Sequence, residues 1–273
     1  MEKIIFNCSL PKAGSELLQV LLHQNPKIYG STTSPLLDFM FAASGNLSLP
    51  EAKSMDQSVV KDSFMSMCEG MARGWYAGIT NRPIISDKSR GWSHYYSWIE
   101  GIVNEPKILC MVRDMRSILA SFERTYRRNR HSRECPDNPS ESYGITTDER
   151  IEHWIQNAPM NIAIKRLSES IQDPKIYNQT LFVRYEDLCN DPEAVMKGIY
   201  EYIDEEYYEH DFNNVKKEVY EDDSHFGIFG KHSVKPKILP IEPKPWSDVY
   251  TEIQSDRIYD LFSEYNKHFG YEK

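Results

Sequence analysis

The sequence predicts an α/β fold: three layers, α/β/α, around a central, mostly parallel sheet. Short apolar runs alternate along the chain with longer stretches of helical period, the pattern of βαβ units. Ile108–Val112 is apolar without a break, as expected of a strand covered on both faces. Gly14 lies in a short turn between the apolar residues 4–6 and a one-sided stripe of Leu17, Leu18, Leu21 and Leu22, which gives strand, turn and helix in succession. With 273 residues, 40% of them hydrophobic, the chain has material for a packed core and reads as a single domain over 1–273.

In chain order, strands are expected over 3–8, 83–86, 107–112 and 180–184. Helices are expected after Gly14 and then over 57–79, 92–103, 114–127, 147–171, 192–203 and 253–269. Pro192 opens the sixth of these, since a proline is well tolerated in a first helical turn. Two stretches read as long loops, at about 129–146 and 222–246. The first contains Pro136, Asn138, Pro139 and Gly144, and the second holds four prolines and the segment GIFGKHS. Loops of this length in compact domains serve as lids or binding loops, or are disordered.

The net charge of −9 is concentrated. Residues 201–223 hold ten acids and two lysines, which leaves the rest of the chain close to neutral with room for basic pockets. One candidate is 124–133, where five of ten residues are arginine. The five cysteines are odd in number and lack CxxC spacing, and Cys8 and Cys110 lie in apolar runs as reduced core thiols do. No apolar run approaches the length of a membrane span, and residues 4–6 are too short for a signal-peptide core, so a cytoplasmic location is expected. The eight histidines show no HxxxH or HExxH spacing, and no metal site is expected.

Several short segments carry chemistry. The first strand runs into Ser9-Leu10-Pro11-Lys12-Ala13-Gly14-Ser15-Glu16 and then a helix, which gathers free backbone N–H groups and a positive dipole end at one point. A phosphate or sulfate fits there, with a Ser15 hydroxyl and a Lys12 ammonium at hand; on its residues alone the segment also reads as a plain structural turn. A kinase-type GxxxxGK[ST] loop is missing, because the lysine precedes the glycine. In KILCMVRDMRSILASF, Arg113 ends a buried strand and Ser121 follows eight residues later. Arg113 offers a planar fork to phosphate oxygens, or else pairs with a carboxylate such as Asp114 or Asp187. FVRYEDL places Tyr185 at a strand end, and IISDKSRGW contains Lys88 and Arg90.

Taken together, PKAGSE, IISDKSRGW, VRDMRSILAS and RYEDL resemble, in order and spacing over roughly residues 4–190, the sulfotransferases that use 3′-phosphoadenosine 5′-phosphosulfate. TTSPLL, after the first helix, and DKSRGW are similar to strings in a bacterial branch of that family. The resemblance implies a P-loop-NTPase-like sulfotransferase fold and transfer of a sulfuryl group to an acceptor with a free hydroxyl, a small molecule or a polymer. Adenosine 3′,5′-bisphosphate would be the product, and neither nucleic acid nor a membrane span is expected. By resemblance Lys12, Ala13, Gly14, Ser15 and Glu16 would hold the 5′-phosphosulfate, Arg113 and Ser121 the 3′-phosphate, and Tyr185 the adenine. Lys231 and His232, in GIFGKHS, would close over the 3′-phosphate, and Lys12 and Lys88 would act on the transferred group.

Departures from the family pattern are specific. Glu16 stands where the family has Thr or Ser, and Arg90 occupies the position of a catalytic histidine in cytosolic members. Ser31-Thr32-Thr33 replaces the glutamate of tyrosylprotein-type members, so His94 and Asp38 become the nearby candidates for a base. Two further readings compete: a P-loop-like small-molecule kinase, opposed by the missing GK[ST], and a nucleic-acid patch at 124–133, opposed by the acidic block.

Overall fold

Strand β1 (Lys3–Asn7) is the middle of a five-stranded sheet ordered β2-β3-β1-β4-β5, with β2 Ile28–Gly30, β3 Ile84–Lys88, β4 Ile108–Val112 and β5 Thr180–Arg184. All four pairings are parallel. The structure, a computed structural model, describes residues 1–129, 146–218, 225 and 234–273. Every residue of β4 is buried, as its unbroken apolar run requires.

The helices are α1 (Ser15–Gln24), α2 (Leu36–Gly45), α3 (Pro50–Lys53), α4 (Gln57–Ala77), α5 (Tyr96–Ile102), α6 (Met115–Asn129), α7 (Thr147–Gln156), α8 (Met160–Gln172), α9 (Pro174–Asn178), α10 (Tyr185–Asn190), α11 (Pro192–Tyr202), α12 (Glu252–Leu261) and α13 (Ser263–Phe269). The connection from β1 to β2 leads toward one edge of the sheet, and that from β4 to β5 toward the other. Parallel crossovers are right-handed, so these connections cover opposite faces. β1 and β4 are therefore neighbours whose chains leave in opposite directions, and the crevice beyond their carboxyl ends is where such sheets take ligands.

Where the structure differs from the sequence reading, local chemistry explains it. β2 is only three residues long, too short for periodicity to register. The predicted helix over 147–171 is two helices: the first ends at Gln156, and Pro159, with no N–H to donate, caps the second. The helix expected over 253–269 breaks at Phe262, and the one expected from Trp92 starts only at Tyr96, after a turn. The loop expected at 129–146 lies almost wholly outside the described residues, and of 222–246 only His225 and 234–246 are described.

Candidate active site

The exit of β1 is fixed to that of β4 by side chains. Asn7 Oδ1 accepts from the Ser9 hydroxyl at 2.6 Å, and Ser9 Oγ in turn accepts from the Met111 backbone N–H at 2.8 Å. The chain then turns through two left-handed residues, Lys12 (φ 58°) and Gly14 (φ 90°), before entering α1. Gly14 is the N-cap of α1 and supplies no side chain to its first-turn N–H groups. Those donors and the positive end of the helix face the mouth of the loop, a ready site for an anion.

The β4 exit meets this loop directly. Arg113 Nη1 donates to the Lys12 carbonyl at 3.0 Å, and the guanidinium carbon lies 4.2 Å from the centroid of Tyr185. Tyr185, the first residue of α10, also closes on the loop from below: a Cβ on Gly14 would sit 2.3 Å from Tyr185 Cδ2. Burial pushes the Tyr185 phenol up to about 12, so it remains a neutral donor. Neither Asp114 nor Asp187 has captured Arg113, and Glu186, whose charge does act on it, accepts from the Asp114 N–H at 3.2 Å. Asp114 pairs with Arg116 at 2.6 Å, and Asp187 lies 3.9 Å from Arg184. Arg113 Nε is buried without a hydrogen-bond partner among the described residues, a donor left over for a ligand.

The β3 exit contributes Lys88 and Arg90. In register, Lys88 lies opposite Asn7 of β1, and Ser89 N–H donates to the Asn7 carbonyl at 3.0 Å. Asp87, fully buried, anchors this turn by accepting from Ser34 Oγ and Trp92 Nε1, each at 2.6 Å, and from the Tyr76 hydroxyl. Burial raises its carboxyl pKa while those three donors oppose the rise.

The three exits border one cavity of about 770 Å³. Lys12, Gly14, Ser15, Glu16, Lys88, Arg90, Arg113, Ser121 and Tyr185 all line it. Ala13 is fully buried behind the loop and contributes backbone alone. Lys231 and His232 lie outside the described residues. Glu16 is 8% exposed, and its carboxylate stands 2.7 Å from Lys217 Nζ, which offsets the charge it would otherwise present to an anion. Neither candidate base reaches the cavity: His94 pairs with Glu169 at 3.0 Å on the surface, and Asp38 is exposed on α2.

The arginine run 124–133, offered by the sequence as a basic pocket, does reach the cavity, through Arg124 and Arg128 among the described residues. Arg124 and Arg128 follow Ser121 at helical spacing, one face of α6 that the i, i+3, i+7 pattern could have revealed. Arg124 is held by Asp248 at 2.8 Å. Tyr265, on α13, had no signal at all. Its hydroxyl donates to the Arg113 carbonyl at 2.8 Å and accepts from the Arg113 N–H at 3.1 Å, which fixes that residue's backbone.

Three solved structures share this architecture. The sulfotransferase domain of the Synechococcus PCC 7002 olefin synthase matches with a TM-score of 0.51 and 19% identity, over 96% of this chain and 94% of that one. The sulfotransferase domain of the curacin biosynthetic pathway gives 0.52 and 19%, over 96% and 98%. Sulfotransferase STF9 from Mycobacterium avium gives 0.53 and 15%, over 99% and 78%. At these identities the likeness establishes the fold. No curated protein matches the chain. The sulfotransferase family model matches residues 5–209, most of the chain and all three strand exits that border the cavity, and the protein therefore belongs to the sulfotransferase family of enzymes.

Proposed function

We propose that the protein transfers a sulfuryl group from 3′-phosphoadenosine 5′-phosphosulfate to a hydroxyl of an acceptor. The observation that carries this is the meeting of two distant strand ends: Arg113 donates to the Lys12 carbonyl and stacks on Tyr185, which packs on Gly14. One nucleotide with phosphates on both the 3′ and 5′ positions of its ribose matches that pair of corners, and the Arg113 Nε, unpartnered among the described residues, and the uncapped start of α1 are donors suited to them.

When bound, the nucleotide supplies the sulfuryl group and departs as adenosine 3′,5′-bisphosphate. The chain's own residues hold and polarise. Backbone N–H groups of Gly14 to Glu16 and the Ser15 hydroxyl bind the 5′ end, the Ala13 N–H being spent on the Leu10 carbonyl at 3.3 Å. Arg113 and Ser121 bind the 3′-phosphate, and Tyr185 presents its ring toward the adenine side. Lys12 and Lys88 place cationic charge where negative charge collects on the leaving oxygen. Arg90 cannot accept a proton from the acceptor, because a guanidinium stays protonated, so its part is electrostatic.

Calorimetric titration tests the reading. Adenosine 3′,5′-bisphosphate should bind at least about tenfold more tightly than AMP, a margin of about 1.4 kcal/mol, with ATP as a control. Equal affinity for the bisphosphate and AMP would overturn the 3′-phosphate assignment.

A further inference from the structure

Arg166 reaches the backbone immediately after Arg90, and neither arginine has a counter-ion among the described residues. Arg90 lines the cavity two positions beyond Lys88. Next to it, Gly91 leaves room for Arg166 of α8: a Cβ on Gly91 would lie 3.4 Å from Arg166 Nη1. The carboxylate nearest in sequence to Arg166, Glu169, is engaged by His94 Nδ1 at 3.0 Å and Lys165 Nζ at 4.0 Å. The packing around Arg90, and then the like charge of Arg166, lower the pKa of the Arg90 guanidinium, and no acid among the described residues acts on it in return.

Two guanidiniums brought together raise the free energy of the unliganded protein, and an oxyanion placed between them relieves it. Their planar forks fit the paired oxygens of a carboxylate or phosphate. Arg90 lies on the β3 side of the cavity, away from the β1 and β4 corners that the donor reading assigns to the nucleotide, with Arg166 Nη1 against the next residue, Gly91. The flank is apolar, with Leu37 Cδ2 and Tyr95 Cδ2 at 2.6 and 3.7 Å from the same Gly91 position.

We infer that Arg90 and Arg166 bind an oxyanion carried by the acceptor, so that the hydroxyl-bearing substrate is an anion. This rests on the donor reading above and names the substrate class for the same cavity.

The test is a calorimetric titration in two steps. Wild-type protein is first saturated with adenosine 3′,5′-bisphosphate, and inorganic phosphate is then titrated as the probe. Phosphate should bind the saturated protein, and Arg166→Gln and the double variant R90Q/R166Q should weaken it at least tenfold. Arg166→Lys, which keeps the charge but loses the fork, should weaken phosphate binding less than Arg166→Gln does, and guards against a folding defect in the glutamine variant. Affinity for the bisphosphate should stay within about twofold in Arg166→Gln. Saturated wild type that takes up no phosphate, or variants that bind it equally well, would overturn the inference. So would a tenfold loss of bisphosphate affinity in Arg166→Gln, which would give the pair to the donor. Failure of the bisphosphate to bind wild type at all would instead sink the donor reading, an outcome visible in the first step.

Discussion

A methyl group on Gly14 would sit 2.3 Å from Tyr185 Cδ2, and the backbone there has φ 90°, which an L side chain adopts only under strain. Gly14→Ala is therefore expected to push Tyr185 off the loop. A loss of about 1–2 kcal/mol should appear in urea unfolding, together with weaker bisphosphate binding by calorimetry. Lys12 differs in kind: its left-handed backbone is already tolerated, and its ammonium is the group at issue. Lys12→Ala should lower turnover about a hundredfold, on the order of 3 kcal/mol, with the circular-dichroism melting curve unchanged. Unchanged turnover would remove Lys12 from the mechanism. Arg113→Ala should act mainly on affinity, weakening the bisphosphate by roughly 10- to 100-fold, as loss of a charged hydrogen-bonding partner does.

Between residues and the whole lie the elements, and here the sequence was readable to the extent that each element made its own signal. β4 was legible from five apolar residues in a row, and α1 from its leucine stripe. β2 and α3 were not, because a three-residue strand and a four-residue helix are set by tertiary packing and too short for a period to show, and α2, LLDFMFAASG, is apolar nearly all round and has no one-sided stripe. The loop after β1 was legible as a motif, since lysine, glycine and serine at a strand-helix junction have a shared physical use. Tyr265 was not, because its hold on Arg113 spans 152 residues and depends on where α13 docks. The segment after α11 adds a pH-dependent element. His210 is buried among Tyr200, Tyr207, Tyr208 and Phe212, and burial lowers its pKa to about 4. The unfolded chain binds that proton near pH 6.5 and the folded one does not, so stability rises with pH across this interval. The contribution is full above about 6.5 and lost as pH falls toward about 4, up to about 3 kcal/mol. Urea midpoints measured at pH 4.5 and 7.5 should differ in that direction, and His210→Phe should flatten the difference.

At the scale of the molecule, the net charge of −9 and the basic cavity occupy different places. Residues 201–206 carry four acids, and two of them meet lysines at the amino ends of the strands: Glu205 with Lys3, just inside β1, and Asp204 with Lys107, just before β4, at 2.8 Å. Lys12, Lys88, Arg90 and Arg113 stand at the carboxyl ends. Affinity for adenosine 3′,5′-bisphosphate should fall several-fold between low salt and about 0.3 M, because screening acts on the whole field as well as on the contacts. A salt-independent affinity would mean that the contacts alone carry the binding. This polarity along the strand axis has a kinematic effect as well. A small anion diffuses far faster than the protein tumbles, so within about a Debye length it is the visitor that is drawn to the strand tips, and fewer encounters are wasted on the wrong side.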